Sequence, residues 1–220
     1  MKMFDLHTHT LFSDGVLVPS ESARRAEKNG YGGMAFTDHA DDSNVFFVLE
    51  NLIRFKEKFN KDSEAFKVIV GVELTHVRPS SIGRLTEEAR NFGADIIIVH
   101  GETLTEPVAE GTNKAAIEAG VDILAHPGLI SAELCRLAAE KQVYLEITTR
   151  KGHSLSNGHI AKTAIENGAS LVINNDFHSP GDAVSFEQAE RILLGAGLNK
   201  SLVAEVFENN RKLFLSKLGG

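Results

Sequence analysis

Histidine and carboxylate side chains end seven apolar runs in this chain, and this repeated placement is the feature most capable of supporting chemistry. The runs cover residues 3–7, 34–39, 68–73, 96–100, 121–126, 143–146 and 171–176. Each has the length and apolar continuity of a buried parallel strand. Because parallel strands end at the same edge of a sheet, the sequence predicts one dense patch of imidazoles and carboxylates there.

The residue types in this patch favour metal binding. His7 and His9 alternate along a strand and so share one face, an arrangement that suits a divalent metal. Asp176 and His178 repeat that spacing at the last run, and Glu73 ends an apolar run where a carboxylate is costly unless it is paired or metal-bound. The predicted metal ligands are His7, His9, Asp14, His39, Glu73, His100, His126, Asp176 and His178.

This ligand set is too large for a single cation, so we expect two or three divalent ions. Its donors are nitrogen and oxygen, and the chain's one cysteine, Cys135, lies in a helix-like stretch away from the runs. Such a set suits Zn²⁺, Mn²⁺ or Fe²⁺ in an open site, not a closed structural zinc site. Cys135 itself is predicted to be a small buried apolar side chain.

Three polar residues near the runs receive different predictions. Asp38 precedes His39 in a strand and so faces the opposite way, where it would orient an imidazole or act as an acid. His76 lies in a loop after Glu73 and is predicted to be peripheral. His159 lies in a helix-like stretch and is predicted to be structural or solvated.

A polar loop at residues 148–158 follows the sixth run. It holds Arg150, Lys151, His153 and Ser154 just before a helix start. Cationic side chains and helix-end N–H groups both attract phosphate, so an anion-binding loop and an ordinary solvated loop are equally good interpretations. If the loop binds substrate, Arg150 is the expected phosphate contact because it is nearest the strand end.

The elements between the runs have helical periodicity. They cover residues 20–29, 45–60, 81–92, 113–118, 131–141, 157–167 and 185–194, and a last helix covers 200–218. Gly93, Gly120, Gly168 and Gly195 stand where helices often end in a left-handed residue. Alternating strands and helices predict a parallel sheet with helices outside it. Because the first and last runs both carry predicted ligands, we favour a closed barrel over an open sheet, with its site at the carboxyl ends of the strands.

Length and composition fit one globular domain over residues 1–220. The chain is 42% apolar and 24% charged, with a net charge of −7. That charge disfavours a broad basic surface and tight nucleic-acid binding. No apolar run is long enough to cross a membrane, and no secretory signal is expected before the first strand, so we expect a cytoplasmic protein whose oligomeric state is open.

Six motifs and the strand-end His100 together resemble the PHP (polymerase and histidinol phosphatase) family over essentially the whole chain. The motifs are DLHTHT at residues 5–10, SDG at 13–15, TDH at 37–39, GVE at 71–73, HPG at 126–128 and NDFHS at 175–179. The resemblance implies an α/β fold, a distorted seven-stranded (β/α)7 TIM-like barrel, with a trinuclear metal centre. By position it implies a first metal on His7, His9, Glu73 and Asp176, a second on Glu73, His100 and His126, and a third on Asp14, His39 and His178.

The leading functional hypothesis is a metal-dependent phosphatase that hydrolyses a small phosphate monoester. The resemblance implies a histidinol phosphate-like substrate. The expected catalytic residues are Glu73 as metal bridge, Asp38, and Arg150, with Arg150, Lys151, His153 and Ser154 binding the substrate. A phosphodiesterase or nuclease that uses the same metals is the first alternative, and a non-catalytic metal-binding scaffold is the second.

Overall fold

Strands and helices alternate along residues 2–218, the part of the chain that the computed structural model describes. The strands are β1 (Phe4–Asp5), β2 (Gly33–Phe36), β3 (His39–Ala40), β4 (Lys67–Leu74), β5 (Ile96–His100), β6 (Ile123–Ala125), β7 (Tyr144–Thr148) and β8 (Leu171–Asn174). The α-helices are α1 (Pro19–Lys28), α2 (Val45–Asp62), α3 (Pro79–Phe92), α4 (Thr112–Glu118), α5 (Ala132–Lys141), α6 (Asn157–Asn167), α7 (Phe186–Gly195) and α8 (Lys200–Lys217). A short 3-10 helix, His153–Ser156, precedes α6.

All paired strands are parallel, in the order β1-β2-β4-β5-β6-β7-β8, and β3 also pairs with β4. The predicted run 34–39 is therefore one strand position broken into β2 and β3. The break covers Thr37 and Asp38, where the Thr37 N–H donates to the carbonyl of Thr8 at 2.8 Å and the Asp38 carbonyl accepts from the backbone N–H of Glu73 at 3.1 Å, so the register with β4 is kept. Counted by position, the sheet has the predicted seven strands.

The sheet closes between its first and last strands. Beyond β1, Thr8 pairs in parallel with Phe177, and the His9 N–H donates to the Phe177 carbonyl at 2.7 Å. The Leu6 N–H donates to the Asn174 side chain at 2.9 Å. The α/β barrel predicted from the sequence is confirmed, and the open sheet is wrong.

Asn210 of α8 joins the two strands that meet at this closure. Its side-chain oxygen accepts from the Ile173 N–H at 2.9 Å, and its amide donates to the carbonyls of Phe4 and Ile173 at 3.0 and 2.8 Å. Asn210 is buried. A single helical side chain thus satisfies backbone groups on both β1 and β8.

Asn210→Ala is expected to lower the free energy of unfolding by about 3 kcal/mol, because it leaves several buried backbone groups without partners. Urea denaturation monitored by circular dichroism measures this change. Asn209→Ala is the matched control, since Asn209 makes one half-buried hydrogen bond, to Leu171, and should cost about 1 kcal/mol. Equal losses in the two variants would contradict a special role for Asn210 in closure.

The core has an inner and an outer part. Ile69 points to the same inward face of β4 as Glu73. Ile96 and Ile98 of β5 belong to the same inner apolar cluster as Ile69. They pack with Leu213 and Phe214 of α8, so this helix fills one end of the barrel. The opposite end, at the carboxyl ends of the strands, is left to polar side chains. The larger apolar cluster lies between the strands and the surrounding helices.

Most helix ends agree with the sequence prediction. Gly93, Gly120 and Gly168 all have left-handed backbone, with φ of +113°, +67° and +79°. The prediction for Gly195 is wrong: α7 continues through it, and the left-handed residue is Gly197, at φ +97°. Cys135 is buried in α5 as predicted. None of the helices within residues 2–218 combines the length and apolar character of a membrane span.

Candidate metal centre

The predicted ligands meet at the carboxyl ends of the barrel strands. His39, Glu73 and His100 lie in β3, β4 and β5, and the others lie in segments just after strand ends. The buried members are His7, His9, Glu73, His100, His126, Asp176 and His178. His39 is half-buried and Asp14 is exposed at the rim.

Two carboxylates lie at the middle of the cluster. Glu73 has its oxygens 3.3 Å from His7 Nε2, 2.7 Å from His39 Nδ1 and 3.6 Å from His9 Nε2. Asp176 Oδ1 lies 3.3 Å from His9 Nε2 and 3.7 Å from His7 Nε2. Each carboxylate thus faces several imidazoles, as a ligand bridging two cations would.

Several of these atoms are buried without a hydrogen-bond partner among the described residues. They are Nε2 of His7, both ring nitrogens of His9 and His126, Oε1 of Glu73 and Oδ1 of Asp176. Buried polar atoms in folded proteins are almost always satisfied, and leaving seven in one place is costly. Divalent cations would satisfy both carboxylate oxygens and one nitrogen of each imidazole, so the residues present fit a metal centre.

The ligand atoms fall into overlapping groups, each within 4.8 Å. These are His9, Asp14, His39 and His178; His7, His9 and Asp176; His7, Glu73 and His126; His76, His100 and Glu106; and His100, His126 and His153. The first contains the third metal set implied by the resemblance. The last differs from the implied second set, because it brings His100 and His126 together with His153.

Burial and charge act in opposite directions on the titrating groups. Burial raises the pKa of Glu73, but the charges of His7 and His39 outweigh it and hold that pKa well below its usual value. The pKa of Asp176 is lowered in the same way, by His7 and His9. Burial lowers the pKa of His9 to about 3, with help from the charge of His39. Ionised carboxylates and a neutral imidazole are the protonation states that bind metals. Although burial acts to lower both, the charge of Glu73 raises the pKa of His7 well above its usual value and that of His39 to about 10, so metal binding at those two imidazoles would release protons.

The backbone is strained at two of the predicted ligands. His126 and Asp176 have φ of +28° and +51°, a region that non-glycine residues rarely enter. Asp176 is held there in part by Arg150, whose Nη1 donates to its carbonyl at 3.1 Å. Strain of this kind concentrates at functional sites, where the surrounding structure fixes a side-chain direction.

Glu146 of β7 lies behind the cluster and orients two of the predicted ligands. Its Oε1 is 2.9 Å from His7 Nδ1 and accepts from the Asn174 amide at 2.9 Å, while its Oε2 accepts from the His126 N–H at 3.2 Å. Glu146 is fully buried. The bond to Nδ1 directs His7 Nε2 toward Glu73 and Asp176.

Glu146→Gln is expected to weaken divalent metal binding about 10- to 100-fold, the usual cost of losing an outer hydrogen-bond partner of a ligand. The amide nitrogen cannot accept a hydrogen bond, so one of the three donors is left unsatisfied. Competition with a metal chelator measures the affinity. Glu140→Gln, an exposed change on α5, is the control and should leave the affinity unchanged. Full metal affinity in the Glu146→Gln variant would contradict the orienting role.

Asp38 is buried, and its carboxylate is committed to the loop after β1. It accepts from the Thr10 N–H at 2.8 Å, from the Thr10 hydroxyl at 2.9 Å and from the Ser13 hydroxyl at 2.7 Å. That loop carries Asp14. These contacts are with Thr10 and Ser13 and not with an imidazole, so both roles expected for Asp38 stay predictions.

The four residues predicted to bind substrate do not all face the metal-ligand cluster. Arg150 reaches the cluster, with Nε 3.4 Å from Asp176 Oδ2. Lys151 is exposed and lines a cleft together with Arg150, Asp182 and Gln188. Ser154 is half-buried, and its N–H donates to the Arg150 carbonyl. His153 is buried, and its ring stacks on His126 with centroids 4.2 Å apart.

Two histidines that were predicted not to be ligands are exposed, and two glutamates that were not predicted to be part of the site contact the cluster. His159 is exposed and contacts the Ile130 carbonyl, while His76 is exposed at the rim and contacts Glu106. Sequence reasoning did not identify Glu106, which lies in an irregular loop with no strand pattern to mark it. Glu146 ended one of the seven apolar runs, a signal that could have identified it, but it was not among the predicted site residues.

Residues 5–142 match the PHP domain family, and the chain belongs to that family. It is 48% identical over 201 residues to an uncharacterized protein of Methanocaldococcus jannaschii, across 90% of this chain and 92% of that protein. It is 29% identical to a probable phosphatase of Thermoanaerobacter sp., across 99% and 98% of the two chains. It is also 29% identical to the DNA polymerase/3'-5' exonuclease PolX of Bacillus subtilis, across 80% of this chain but 34% of that protein.

Among solved structures, the fold is similar to that of a histidinol phosphate phosphatase from Lactococcus lactis, solved with zinc, L-histidinol and phosphate. The TM-score is 0.65 at 17% identity, over 90% of this chain and 95% of that one. The predicted family and its TIM-like barrel are confirmed. Family membership supports a hydrolase of the phosphatase class, and the imidazole and carboxylate clusters suggest that it binds divalent metals.

Proposed function

We propose that this protein is a metal-dependent phosphoesterase that hydrolyses a small phosphate monoester. The observation that carries the proposal is the group of buried, unpartnered imidazole and carboxylate atoms with a guanidinium beside it. The unpartnered atoms include His7 Nε2, Glu73 Oε1 and Asp176 Oδ1. Arg150 lies at the edge of the same group. A metal cluster next to one fixed cation suits a phosphate group, which carries negative charge on several oxygens.

The proposed ligands are the nine residues predicted from the sequence, with Glu73 as the bridge. Divalent cations held there would lower the pKa of bound water, so that hydroxide is available at neutral pH, and would bind phosphate oxygens. Glu73 and Asp176 each face several imidazoles and so fix the spacing of the site. Asp38 holds the loop that carries Asp14.

Arg150 is the proposed phosphate contact of the protein itself. Its guanidinium is partly exposed, with Nε 3.4 Å from Asp176 Oδ2 and Nη1 3.7 Å from Asp182 Oδ2. It can therefore bind substrate oxygens while remaining fixed by these two carboxylates. As negative charge builds on the equatorial oxygens, a fixed cation stabilises the transition state more than the ground state. Lys151 and Ser154 are proposed to assist from the same loop.

The substrate class is proposed to be a small phosphorylated metabolite similar to histidinol phosphate. Support comes from the structural neighbour named as a histidinol phosphate phosphatase and from the relative named as a probable phosphatase. The test is hydrolysis of a chromogenic phosphate monoester by protein loaded in turn with Zn²⁺, Mn²⁺ and Fe²⁺, followed by a panel of phosphorylated metabolites. Metal-loaded protein that hydrolyses no monoester in this panel would overturn the proposal.

A phosphodiesterase or nuclease is the second candidate, favoured by the relative named as a polymerase and exonuclease. The composition weighs against it, because the chain has a net charge of −7, no tryptophan and two tyrosines, whereas single-stranded nucleic acids are held by basic grooves and aromatic platforms. Faster turnover of a chromogenic diester than of the monoester would favour this candidate. A scaffold without activity would retain metal and hydrolyse neither.

A further inference from the structure

Glu106, in the loop between β5 and α4, points its carboxylate into a group of imidazoles. Its Oε2 lies 3.2 Å from His100 Nε2 and 3.1 Å from His76 Nε2, and its Oε1 lies 3.4 Å from His153 Nε2. Its side chain is 39% exposed, whereas those of His100 and His153 are 4% and 7% exposed. Glu106 therefore covers the buried imidazoles from the solvent side.

These separations match those of ligands that share one cation. Nitrogen and oxygen ligands lie about 2.0–2.2 Å from zinc, so two of them around a tetrahedral ion are roughly 3.3–3.5 Å apart. The contacts of Glu106 with His100 and His153, at 3.2 and 3.4 Å, are made by its Oε2 and Oε1 respectively, and each has this spacing. The ligand atoms of His100, His126 and His153 lie within 4.8 Å of one another, and those of His76, His100 and Glu106 do so as a second group, so His100 is common to both.

His153 is oriented as metal-bound histidines are. Its Nδ1 lies 2.7 Å from the Thr103 hydroxyl and 3.1 Å from the Thr105 hydroxyl, which leaves Nε2 toward Glu106. Metal-ligating histidines use one ring nitrogen for the metal and the other for such an outer partner. Thr103 and Thr105 lie in the same loop as Glu106, so this loop positions both side chains.

We propose that His153 and Glu106 are ligands of the cation held by His100 and His126. Together with the bridging Glu73, which lies 3.7 Å from His126 Nε2, these residues form the outer cation site, with three imidazoles and two carboxylates. His76 lies outside it and positions Glu106 through its Nε2. This inference rests on the metal centre of the proposed function and adds two ligands to it. It also changes the role of His153, from the phosphate contact expected from the sequence to a metal ligand.

The test is a titration of the metal-free protein with Co²⁺, comparing His153→Gln and Glu106→Gln with wild type. Chelator competition measures the affinity of each cobalt equivalent, and visible absorption reports the coordination. Each variant is expected to weaken one equivalent by about 10- to 100-fold and to change the cobalt absorption band, while the other equivalents are unchanged. The matched controls are His159→Gln and Glu110→Gln, both at exposed positions, and they should bind cobalt as wild type does.

The outcomes separate this inference from the proposed function. Unchanged cobalt affinity and absorption in both variants would overturn the added ligands, even if the wild-type protein hydrolyses phosphate esters. If the His153→Gln variant binds cobalt fully but binds inorganic phosphate more weakly, the added ligands are also overturned. His153 is then a substrate-binding residue, as expected from the sequence. Because Glu106 is partly exposed in a loop, its variant tests the site even if His153→Gln destabilises the fold. Cobalt binding is measured without turnover, so an inactive wild type does not affect the result.

Discussion

Glu73→Gln is expected to lower metal-dependent phosphomonoester turnover by about 10³-fold, equivalent to about 4 kcal/mol of transition-state stabilisation. Glu73 is fully buried and lies between His7 and His39, with His9 and His126 within 3.7 Å of its oxygens. A neutral amide has nearly the same size but one oxygen in place of two and no charge. It can therefore no longer bridge two cations.

Steady-state kinetics and metal content measured on the same sample test this expectation. The variant is expected to lose at least one metal equivalent together with its activity. Glu87→Gln, on the exposed face of α3, is the control for the same chemical change and should behave as wild type. If the Glu73→Gln variant keeps its full metal content and more than about a tenth of its activity, Glu73 is not the bridge.

Arg150→Ala is expected to reduce kcat/KM for a phosphate monoester by about 10²-fold, because removing one fixed charge-stabilising group from an active site has this order of effect. Its neighbour provides an internal comparison. Lys151 is exposed and faces the cleft with Asp182 and Gln188, so Lys151→Ala should cost only a few-fold. Steady-state kinetics with one monoester substrate, at saturating metal, measure both variants.

Metal content distinguishes a direct role of Arg150 from an indirect one. The guanidinium contacts Asp176, so its removal could disturb a ligand instead of the substrate. We expect Arg150→Ala to retain its full metal content and to bind inorganic phosphate more weakly. Lys162→Ala, an exposed change on α6, serves as the control. Equal kinetic losses for the Arg150 and Lys151 variants would contradict the assignment of Arg150 as the principal phosphate contact.

Most of the nine ligands predicted from the sequence were predictable because they lie at or just after a strand end. An apolar run that ends in histidine or glutamate is visible in the sequence, and parallel strands must bring those ends to one edge. Glu73 and His100 were placed in this way. The same logic gave closure, since candidate ligands on both the first and the last strand require those strands to meet, and Thr8 does pair with Phe177.

Residues in irregular loops were not predictable in the same way. Glu106 has no periodic neighbours, and its contacts with His76 and His153 join three loops that are far apart in the chain. His153 lay in a polar loop beside Arg150 and Lys151, and the sequence associated it with them. The 3-10 helix at His153–Ser156 instead turns its ring onto His126.

The sequence by itself determined the barrel, its strand positions and the residue types at its carboxyl-terminal edge, because hydrophobic periodicity and strand-end polarity are local properties. Tertiary structure alone decided which imidazole faces which carboxylate, that Asn210 joins β1 to β8, and that Glu146 and Glu106 contact the predicted ligands from opposite sides. The physical reason is that these contacts depend on the direction and depth of side chains brought together from distant segments, which closure of the barrel fixes.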